Sequence, residues 1–240
     1  MYGDDLALIH DAGFGDLARE AAGLIVARLR SNGIGKGLVT DLGCGSGILA
    51  AALNDAGYDV LGVDLSESML SLAAARAPRV GFIQASLFTV DIPASVAVTA
   101  IGECLNYDFA AEASPAAVAR VFARVARSLP VGGVFLFDVA GAGRGGRGQP
   151  RESARVGADW AVFARASEDD SGDRLVRDIT AFRLVGEGYR RSEERHALRL
   201  FRPADITAQL ARAGLRAERL AGYGQLQFGP GLYGFLADRA

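Results

Sequence analysis

Apolar and polar positions alternate along the middle of the chain with two periods, one typical of strands and one typical of helices. Short apolar runs bounded by glycine or polar residues predict buried strands, and apolar residues three and four positions apart predict amphipathic helices. Ser114 followed by Pro115 favours a helix start. This alternation predicts a parallel α/β sheet, which binds ligands at the carboxyl ends of its strands. The predicted strands are 38–42, 59–64, 80–84, 96–101 and 133–139, and the predicted helices are 47–57, 67–77 and 115–129.

The pattern changes on both sides of this alternating region. Before it, apolar residues recur every three or four positions over 14–31 and predict an amphipathic helix, whereas residues 6–14 are too short and mixed to assign. After it, period-two runs separated by polar and glycine turns predict an antiparallel meander, followed by a helix that Gly214 closes. A final antiparallel strand pair is predicted at 215–222 and 232–237. The meander runs are 160–166, 175–185 and 189–201, and the helix is 203–213.

Residues 140–156 join the two patterns and are rich in glycine and arginine. Such composition predicts a mobile loop at the end of a strand. Three interpretations remain open for it: a solvated linker, a lid that orders over a substrate, or an arginine–glycine contact with RNA.

A glycine-rich turn follows the first predicted strand. Asp41 is followed by glycines at 43, 45 and 47, and a helical pattern then begins. Glycine permits positive φ and lets a ligand approach the main chain, and the free N–H groups of a helix start favour a polar ligand. The dinucleotide fingerprint needs its third glycine one position later, where this chain has Ile48.

In these residues the chain resembles the class I S-adenosylmethionine-dependent methyltransferases, whose first motif is an acid followed by three alternating glycines. Asp41, Gly43, Gly45 and Gly47 match that motif position for position. The resemblance implies S-adenosylmethionine as cofactor and a Rossmann-like seven-stranded sheet with an inserted antiparallel meander. A carboxylate beside the loop suits the cofactor's ammonium group and would repel a pyrophosphate.

The resemblance also implies a division of the chain. Residues 1–37 would form an N-terminal helical segment that covers the site. Residues 38–139 and 203–240 would form the cofactor-binding domain, and 140–202 would form the lid loop and a substrate-side insert.

A second acid lies at the end of the second predicted strand. Asp64 follows the glycines by roughly 20 residues, the spacing expected for a ribose ligand. By resemblance, Asp64 would bind the ribose, while Leu65 and Met69 would lie beside the adenine. Ser86 and Leu87, after the third strand, would contact the adenine, although the family commonly has an acid there. Cys44 and Gly102 complete the predicted cofactor contacts.

The composition of the chain disfavours several classes of protein, among them nucleic-acid-binding, metal-binding and membrane proteins. Half of the residues are apolar, 22% are charged and the formal net charge is −2, which is ordinary for a globular protein and gives no general attraction for nucleic acid. The two cysteines, Cys44 and Cys104, lack metal-ligand spacing, so no metal is predicted. We find no signal peptide and no apolar stretch of membrane-spanning length, and we expect a cytoplasmic protein.

The candidate catalytic and substrate residues follow the fourth strand or lie outside the sheet. Glu103 would lie near the cofactor's sulfonium or the acceptor, and His196, in the predicted meander, is a candidate base. His10, Tyr107 and Trp160 are candidates for substrate contact. The residues after the fourth strand do not match the motif of enzymes that methylate DNA bases or glutamine, which favours a small-molecule acceptor.

The leading hypothesis is therefore methyl transfer to an oxygen or nitrogen of a small molecule. One alternative is a nicotinamide-dependent oxidoreductase, which Ile48 and Asp41 disfavour. Another is a non-catalytic cofactor-binding protein, associated with RNA through the arginines of 144–155. Four meander arginines suggest an anionic acceptor: Arg190, Arg191, Arg195 and Arg199.

Overall fold

A computed structural model describes residues 2–146 and 148–239. The helices are α1 (Asp4–Gly13), α2 (Asp16–Ser31), α3 (Ile48–Asp55), α4 (Glu67–Arg76), α5 (Pro115–Ser128) and α6 (Pro203–Arg212), with a 3-10 turn at Cys104–Asn106. The first strands are β1 (Leu38–Leu42), β2 (Asp59–Asp64), β3 (Gly81–Gln84), β4 (Ala97–Ala100) and β5 (Val134–Ala140). The others are β6 (Arg151–Val156), β7 (Trp160–Glu168), β8 (Arg174–Val185), β9 (Gly188–Arg199), β10 (Leu215–Leu220), β11 (Gly222–Tyr223), β12 (Leu226–Gln227) and β13 (Leu232–Arg239).

The main sheet has seven strands in the order β10-β13-β5-β4-β1-β2-β3. Strands β3, β2, β1, β4 and β5 pair in parallel, and β13 pairs antiparallel with both β5 and β10. Every residue of β5 is buried, as expected for a strand covered on both faces. The predicted α/β class, the seven-stranded sheet and the final antiparallel pair are confirmed.

Helix α5 shows how local sequence positions a layer on this sheet. The Ser114 hydroxyl accepts the Ala117 N–H at 3.1 Å and caps the helix, and Pro115 occupies its first turn. Its apolar face then buries Phe122 against Phe135 and Phe137 of β5. Burial of aromatic side chains of this size is the main stabilising contribution of such a layer.

The insert is a separate antiparallel sheet in the order β6-β7-β8-β9. Three of its strands match the predicted meander. The fourth, β6, lies within residues 140–156, which were predicted to be a mobile loop, and that prediction was wrong over Arg151–Val156. The strand was missed because all six residues are exposed and show no apolar alternation, and it is held by main-chain pairing with β7.

Asn106 joins the insert to the main sheet. Its side-chain amide donates to the Ala140 carbonyl at 2.9 Å and to the Arg199 carbonyl at 2.5 Å, and its oxygen accepts the Ala140 N–H at 2.9 Å. Asn106 is buried, so these hydrogen bonds form away from water. The carboxyl end of β5 and the end of β9 are therefore held together by one side chain.

Helix α1, which the sequence pattern did not assign, lies across the insert and α4. Leu6 and Ile9 are buried against Val162 and Ile179 of the insert. The Asp5 carboxylate accepts from Nε and Nη2 of Arg190, at 2.6 and 2.5 Å. In the described part of the chain, no helix combines the length and apolar character needed to cross a bilayer.

Candidate functional site

The glycine-rich turn lies at the carboxyl end of β1 and is held by its neighbours β2 and α4. The Gly43 N–H donates to the Val63 carbonyl at 2.7 Å. Gly47 has a φ of +74°, and a Cβ there would lie 2.9 Å from the Ala73 Cβ of α4. At Gly45, with a φ of +53°, a Cβ would meet none of the described atoms within 4 Å. Gly47 therefore permits close helix packing, whereas Gly45 leaves its main chain open to a ligand.

Asp64 links this turn to the start of α4. One carboxylate oxygen accepts the Gly45 N–H at 2.9 Å, and the other accepts the Ser66 N–H at 2.8 Å. Burial raises the pKa of Asp64, and these main-chain hydrogen bonds oppose the increase. Each oxygen keeps a further lone pair, so the group can still accept from a ligand hydroxyl.

Asp41 lies beneath the turn, and one of its carboxylate oxygens has no hydrogen-bond partner among the described residues. Its Oδ1 accepts the Thr99 hydroxyl at 2.8 Å, while Oδ2 is buried without a partner among the described residues. Burial raises the pKa of Asp41 to about 7. A buried carboxylate in this state is stabilised by a nearby positive charge, such as an ammonium or sulfonium group.

A cavity with about 740 Å³ of empty space opens beside the turn. Leu65, Met69 and Leu87 supply an apolar wall, as expected for a flat heterocycle. None of the described residues lining this cavity is Arg or Lys, which fits a cationic ligand better than the pyrophosphate of a nicotinamide dinucleotide. The predicted cofactor residues that line it are Gly43, Gly45, Asp64, Leu65, Met69, Leu87 and Gly102.

The other predicted cofactor residues do not line the cavity. Asp41 lies beneath the turn and Gly47 packs on α4, as described above. Cys44 is buried, with its sulfur 3.0 Å from the position of a Cβ on Gly62. The Ser86 hydroxyl accepts the Phe88 N–H at 3.2 Å, and its neighbour Ala85 lines the cavity instead. Ser86 therefore stabilises a turn, which does not support its predicted contact with adenine.

Comparisons with known proteins agree with this geometry. Residues 39–133 match the family model described as "Methyltransferase domain". YqeM of Bacillus subtilis, named as a candidate methyltransferase, is 28% identical over 198 residues that cover 77% of this chain and 76% of YqeM. The chain therefore carries a methyltransferase domain of the S-adenosylmethionine-dependent type.

Solved structures resemble this methyltransferase along its whole length. A S-adenosylmethionine-dependent methyltransferase from Clostridium acetobutylicum has a TM-score of 0.81 at 21% identity, over 97% of this chain and 96% of that one. The sugar N-methyltransferase KedS8 from Streptoalloteichus has a TM-score of 0.77 at 27% identity, over 100% of this chain and 96% of that one. The cofactor of this methyltransferase is S-adenosylmethionine, and the orphaned Asp41 oxygen and the open Gly45 main chain fit it.

The methyltransferase has a second, larger cavity beside the first, with about 1640 Å³ of empty space, between α1 and the insert. Four residues line both cavities: Tyr2, His10, Gly102 and Tyr107. The hydroxyls of Tyr2 and Tyr107 lie 3.2 Å apart, and burial raises the pKa of both. Burial lowers the pKa of His10 to about 4, so its imidazole is neutral at pH 7. The junction therefore presents neutral hydrogen-bonding groups.

Glu103 lies in the second cavity, held by arginines and by a strained main chain. It has a φ of +62°, unusual for a non-glycine residue. Its carboxylate pairs with Arg144 and, at 3.1 Å, with Arg177. Burial raises the pKa of Glu103, but the two guanidinium groups outweigh burial and hold it below its ordinary value. A carboxylate this acidic is a poor general base, which does not support the catalytic role predicted for Glu103.

His196 and Trp160 line neither cavity, which does not support their predicted roles in catalysis and substrate contact. The His196 ring is fully buried, and its Nε2 lies 2.7 Å from Glu194 Oε2. Trp160 packs so closely on Gly13 that a Cβ there would lie 2.7 Å from the ring. The His196 ring packs against the rings of Tyr2, Tyr107 and Phe109 instead.

Asp138 is a site residue that the sequence analysis missed. It is fully buried, and it accepts the Gly102 N–H at 2.9 Å, the Glu103 N–H at 2.6 Å and the Tyr223 hydroxyl at 3.1 Å. These bonds hold Glu103 in its strained conformation. Burial raises the pKa of Asp138 to about 6. Its one sequence signal is that it is the only acid in the apolar strand β5, without the alternating glycines that identified Asp41.

Proposed function

We propose that this methyltransferase transfers the methyl group of S-adenosylmethionine to a nitrogen or oxygen atom of a small molecule. The observation that carries the proposal is the pair of adjoining cavities. One fits the cofactor, the other is large and enclosed by α1 and the insert, and they meet at Tyr2, His10, Gly102 and Tyr107. An acceptor held in the second cavity would reach the cofactor only at this junction.

We assign the cofactor contacts as follows. The main chain of Gly43 and Gly45 would hold the methionine part, with the Asp41 carboxylate balancing its positive charge. Asp64 would accept from the ribose hydroxyls, and Leu65, Met69 and Leu87 would lie against the adenine. All of these residues except Asp41 line one cavity, and Asp41 lies beneath the glycine-rich turn beside it, which supports the assignment.

The bound cofactor supplies an already activated methyl group on a sulfonium, so the protein's tasks are positioning and exclusion of water. Gly102 leaves the main chain open at the junction, since a Cβ there would meet none of the described atoms within 4 Å. The hydroxyls of Tyr2 and Tyr107 would orient the acceptor. The neutral imidazole of His10 can accept a hydrogen bond from it.

Two observations support a small acceptor over nucleic acid. KedS8, whose structure matches 100% of this chain, is a sugar N-methyltransferase. Of the arginines in 144–155, Arg144, Arg151 and Arg155 line the second cavity, where they can contact its occupant. Arg147 lies outside the described residues.

Calorimetric titration tests the cofactor assignment. S-adenosylhomocysteine and NADH would be titrated into the wild-type protein and into Asp64→Ala, with Asp59→Ala as control because Asp59 is exposed at the other end of β2. Loss of two hydrogen bonds to a charged acceptor should weaken binding of the homocysteine product about 100-fold, roughly 3 kcal/mol. The Asp59 variant should bind normally, and thermal melting would verify that both variants fold.

The acceptor is tested by incubating the protein with S-adenosylmethionine and a panel of amines, alcohols and amino sugars, with release of S-adenosylhomocysteine as the readout. Tight binding of NADH, or cofactor binding indifferent to Asp64, would overturn the proposal.

A further inference from the structure

Two arginines and one carboxylate form the charged centre of the second cavity. Arg177 Nη2 lies 3.1 Å from Glu103 Oε2, and Arg144 bonds the other oxygen. The side chains of Arg177 and Arg144 are only 19% and 26% exposed. One negative charge therefore faces two positive charges, and the centre keeps an excess of one positive charge in a largely buried place.

Two further arginines line the same cavity from β6. Arg155 donates to the Gly13 carbonyl at the end of α1 and lies 4.6 Å from the centroid of the Phe14 ring. The Arg151 side chain has no ion-pair partner among the described residues. The other acid lining the cavity, Asp16, is exposed and pairs with Arg19 at 3.0 Å. The cavity thus carries four arginines against two carboxylates.

These are not the arginines that the sequence pattern suggested. Arg190, Arg191, Arg195 and Arg199 line neither cavity. Each of them pairs with an acid elsewhere: with Asp5, Glu193, Asp178 and Asp108 respectively. The positive charge that faces the cavity comes from the loop after β5 and from β6 and β8 instead.

An excess of buried positive charge is costly unless a negative group balances it. The rest of the wall supplies no buried carboxylate, because Asp16 is exposed and paired with Arg19 and side chains such as Leu6 and Val162 are apolar. Arginine favours carboxylate and phosphate, which it binds with two parallel hydrogen bonds. A ligand with an apolar body and one anionic group would match both parts of this wall.

We propose that the second cavity binds an acceptor that carries a carboxylate or phosphate group on an apolar body, with Arg144 and Arg151 as its anion contacts. This inference rests on the proposed function, since it describes the molecule that would receive the methyl group.

Calorimetry with three related probes tests the proposal on the protein saturated with S-adenosylhomocysteine. Benzoate and phenyl phosphate have the same apolar ring as benzyl alcohol, which has no charge. Each anion should bind at least tenfold more tightly than the alcohol, and the stronger of the two distinguishes a carboxylate site from a phosphate site. Arg151→Gln and Arg144→Gln should each weaken anion binding several-fold and leave benzyl alcohol unaffected.

Arg165→Gln is the matched control. Arg165 lies on β7 between Ala164 and Ala166, which line the second cavity, but its own side chain lines a groove on the other face of the insert with Glu152 and Asp178. This variant should bind the anions as the wild type does. Equal affinity for anions and alcohol, or equal losses in Arg165→Gln and Arg151→Gln, would overturn the proposal.

The design separates this proposal from the proposed function. S-adenosylhomocysteine is titrated first, and the anion titrations are repeated without it. Cofactor binding with no preference for anions would refute the anion site alone. Anion binding without cofactor binding would refute the proposed function.

Discussion

We predict that the unfolding free energy of Asp41→Asn, measured against that of the wild type without cofactor, is more favourable at pH 8 than at pH 5. The same substitution should weaken cofactor binding. Asp41 is 2% exposed, and its Oδ2 has no partner among the described residues. Burial raises its pKa from 3.8 to about 7. The folded protein therefore holds a proton on Asp41 up to about pH 7, whereas the unfolded chain releases it near pH 4.

The magnitude follows from linkage. A raised pKa in the folded state contributes stability at low pH that is lost as pH rises through the folded value. From pH 5 to pH 7 the loss for Asp41 is about 1.4 kcal/mol per pH unit, or about 3 kcal/mol in all. Asn does not titrate, so the variant does not lose this stability as the pH rises. Its unsatisfied amide costs about 1–3 kcal/mol at both pH values and cancels in the comparison.

Urea unfolding of the wild type and of Asp41→Asn at pH 5 and pH 8 measures this change. Asp59→Asn, an exposed change on β2, is the control and should follow the wild type. The stability of Asp41→Asn relative to wild type should shift by about 3 kcal/mol in favour of the variant at pH 8. In calorimetry, the variant should bind S-adenosylhomocysteine at least tenfold more weakly, because it loses the charge that faces the ammonium. An equal stability difference at both pH values would refute this reasoning.

Two further predictions concern His10 and Tyr223. Because burial lowers the pKa of His10 from 6.5 to about 4, the wild type should lose stability as pH falls through this range. In urea unfolding, His10→Gln should lose less stability over the same range. Equal losses in the variant and the wild type would contradict the prediction. Tyr223→Phe removes the 3.1 Å hydrogen bond to Asp138 and should cost about 1–3 kcal/mol in urea unfolding. Tyr189→Phe, at a residue 59% exposed, should cost nothing measurable, and an equal loss in both variants would count against the Asp138 contact.

The main sheet could be predicted because its central strands β1, β4 and β5 are buried on both faces. The predicted strands 38–42 and 59–64 coincide with β1 and β2, since each short, mainly apolar segment ends at glycine or at an acid. Strand β6 could not be predicted in this way, because its six exposed residues carry no burial pattern. Helix α1 is short, and its place depends on contacts with residues more than 60 positions away, such as the hydrogen bond from Ser68 to Asp4.

The site residues likewise fall into those that local sequence predicts and those that depend on tertiary contacts. The glycine-rich turn and Asp64 act through local main-chain geometry, so their spacing identified them. The arginines of the second cavity depend on which face of a strand meets the cavity, which sequence alone did not show. Arg177 left one signal, because it shares a face of β8 with the buried Leu175 and Ile179, and a charged residue on an apolar face indicates a buried partner.

The hydrogen bonds of Asn106 have a consequence for the kinetics of ligand exchange. Separating the insert from the main sheet would break the hydrogen bond from Asn106 to the Arg199 carbonyl and the nearby bond from the Phe201 N–H to the Ala140 carbonyl. On the opposite side, α1 is fastened by Asp5 to Arg190, whose side chain is 52% exposed and so open to screening by salt. Salt would weaken this ion pair and leave the apolar contacts of Leu6 and Ile9 intact, so a rate of ligand exchange that rises with ionic strength would indicate passage under α1.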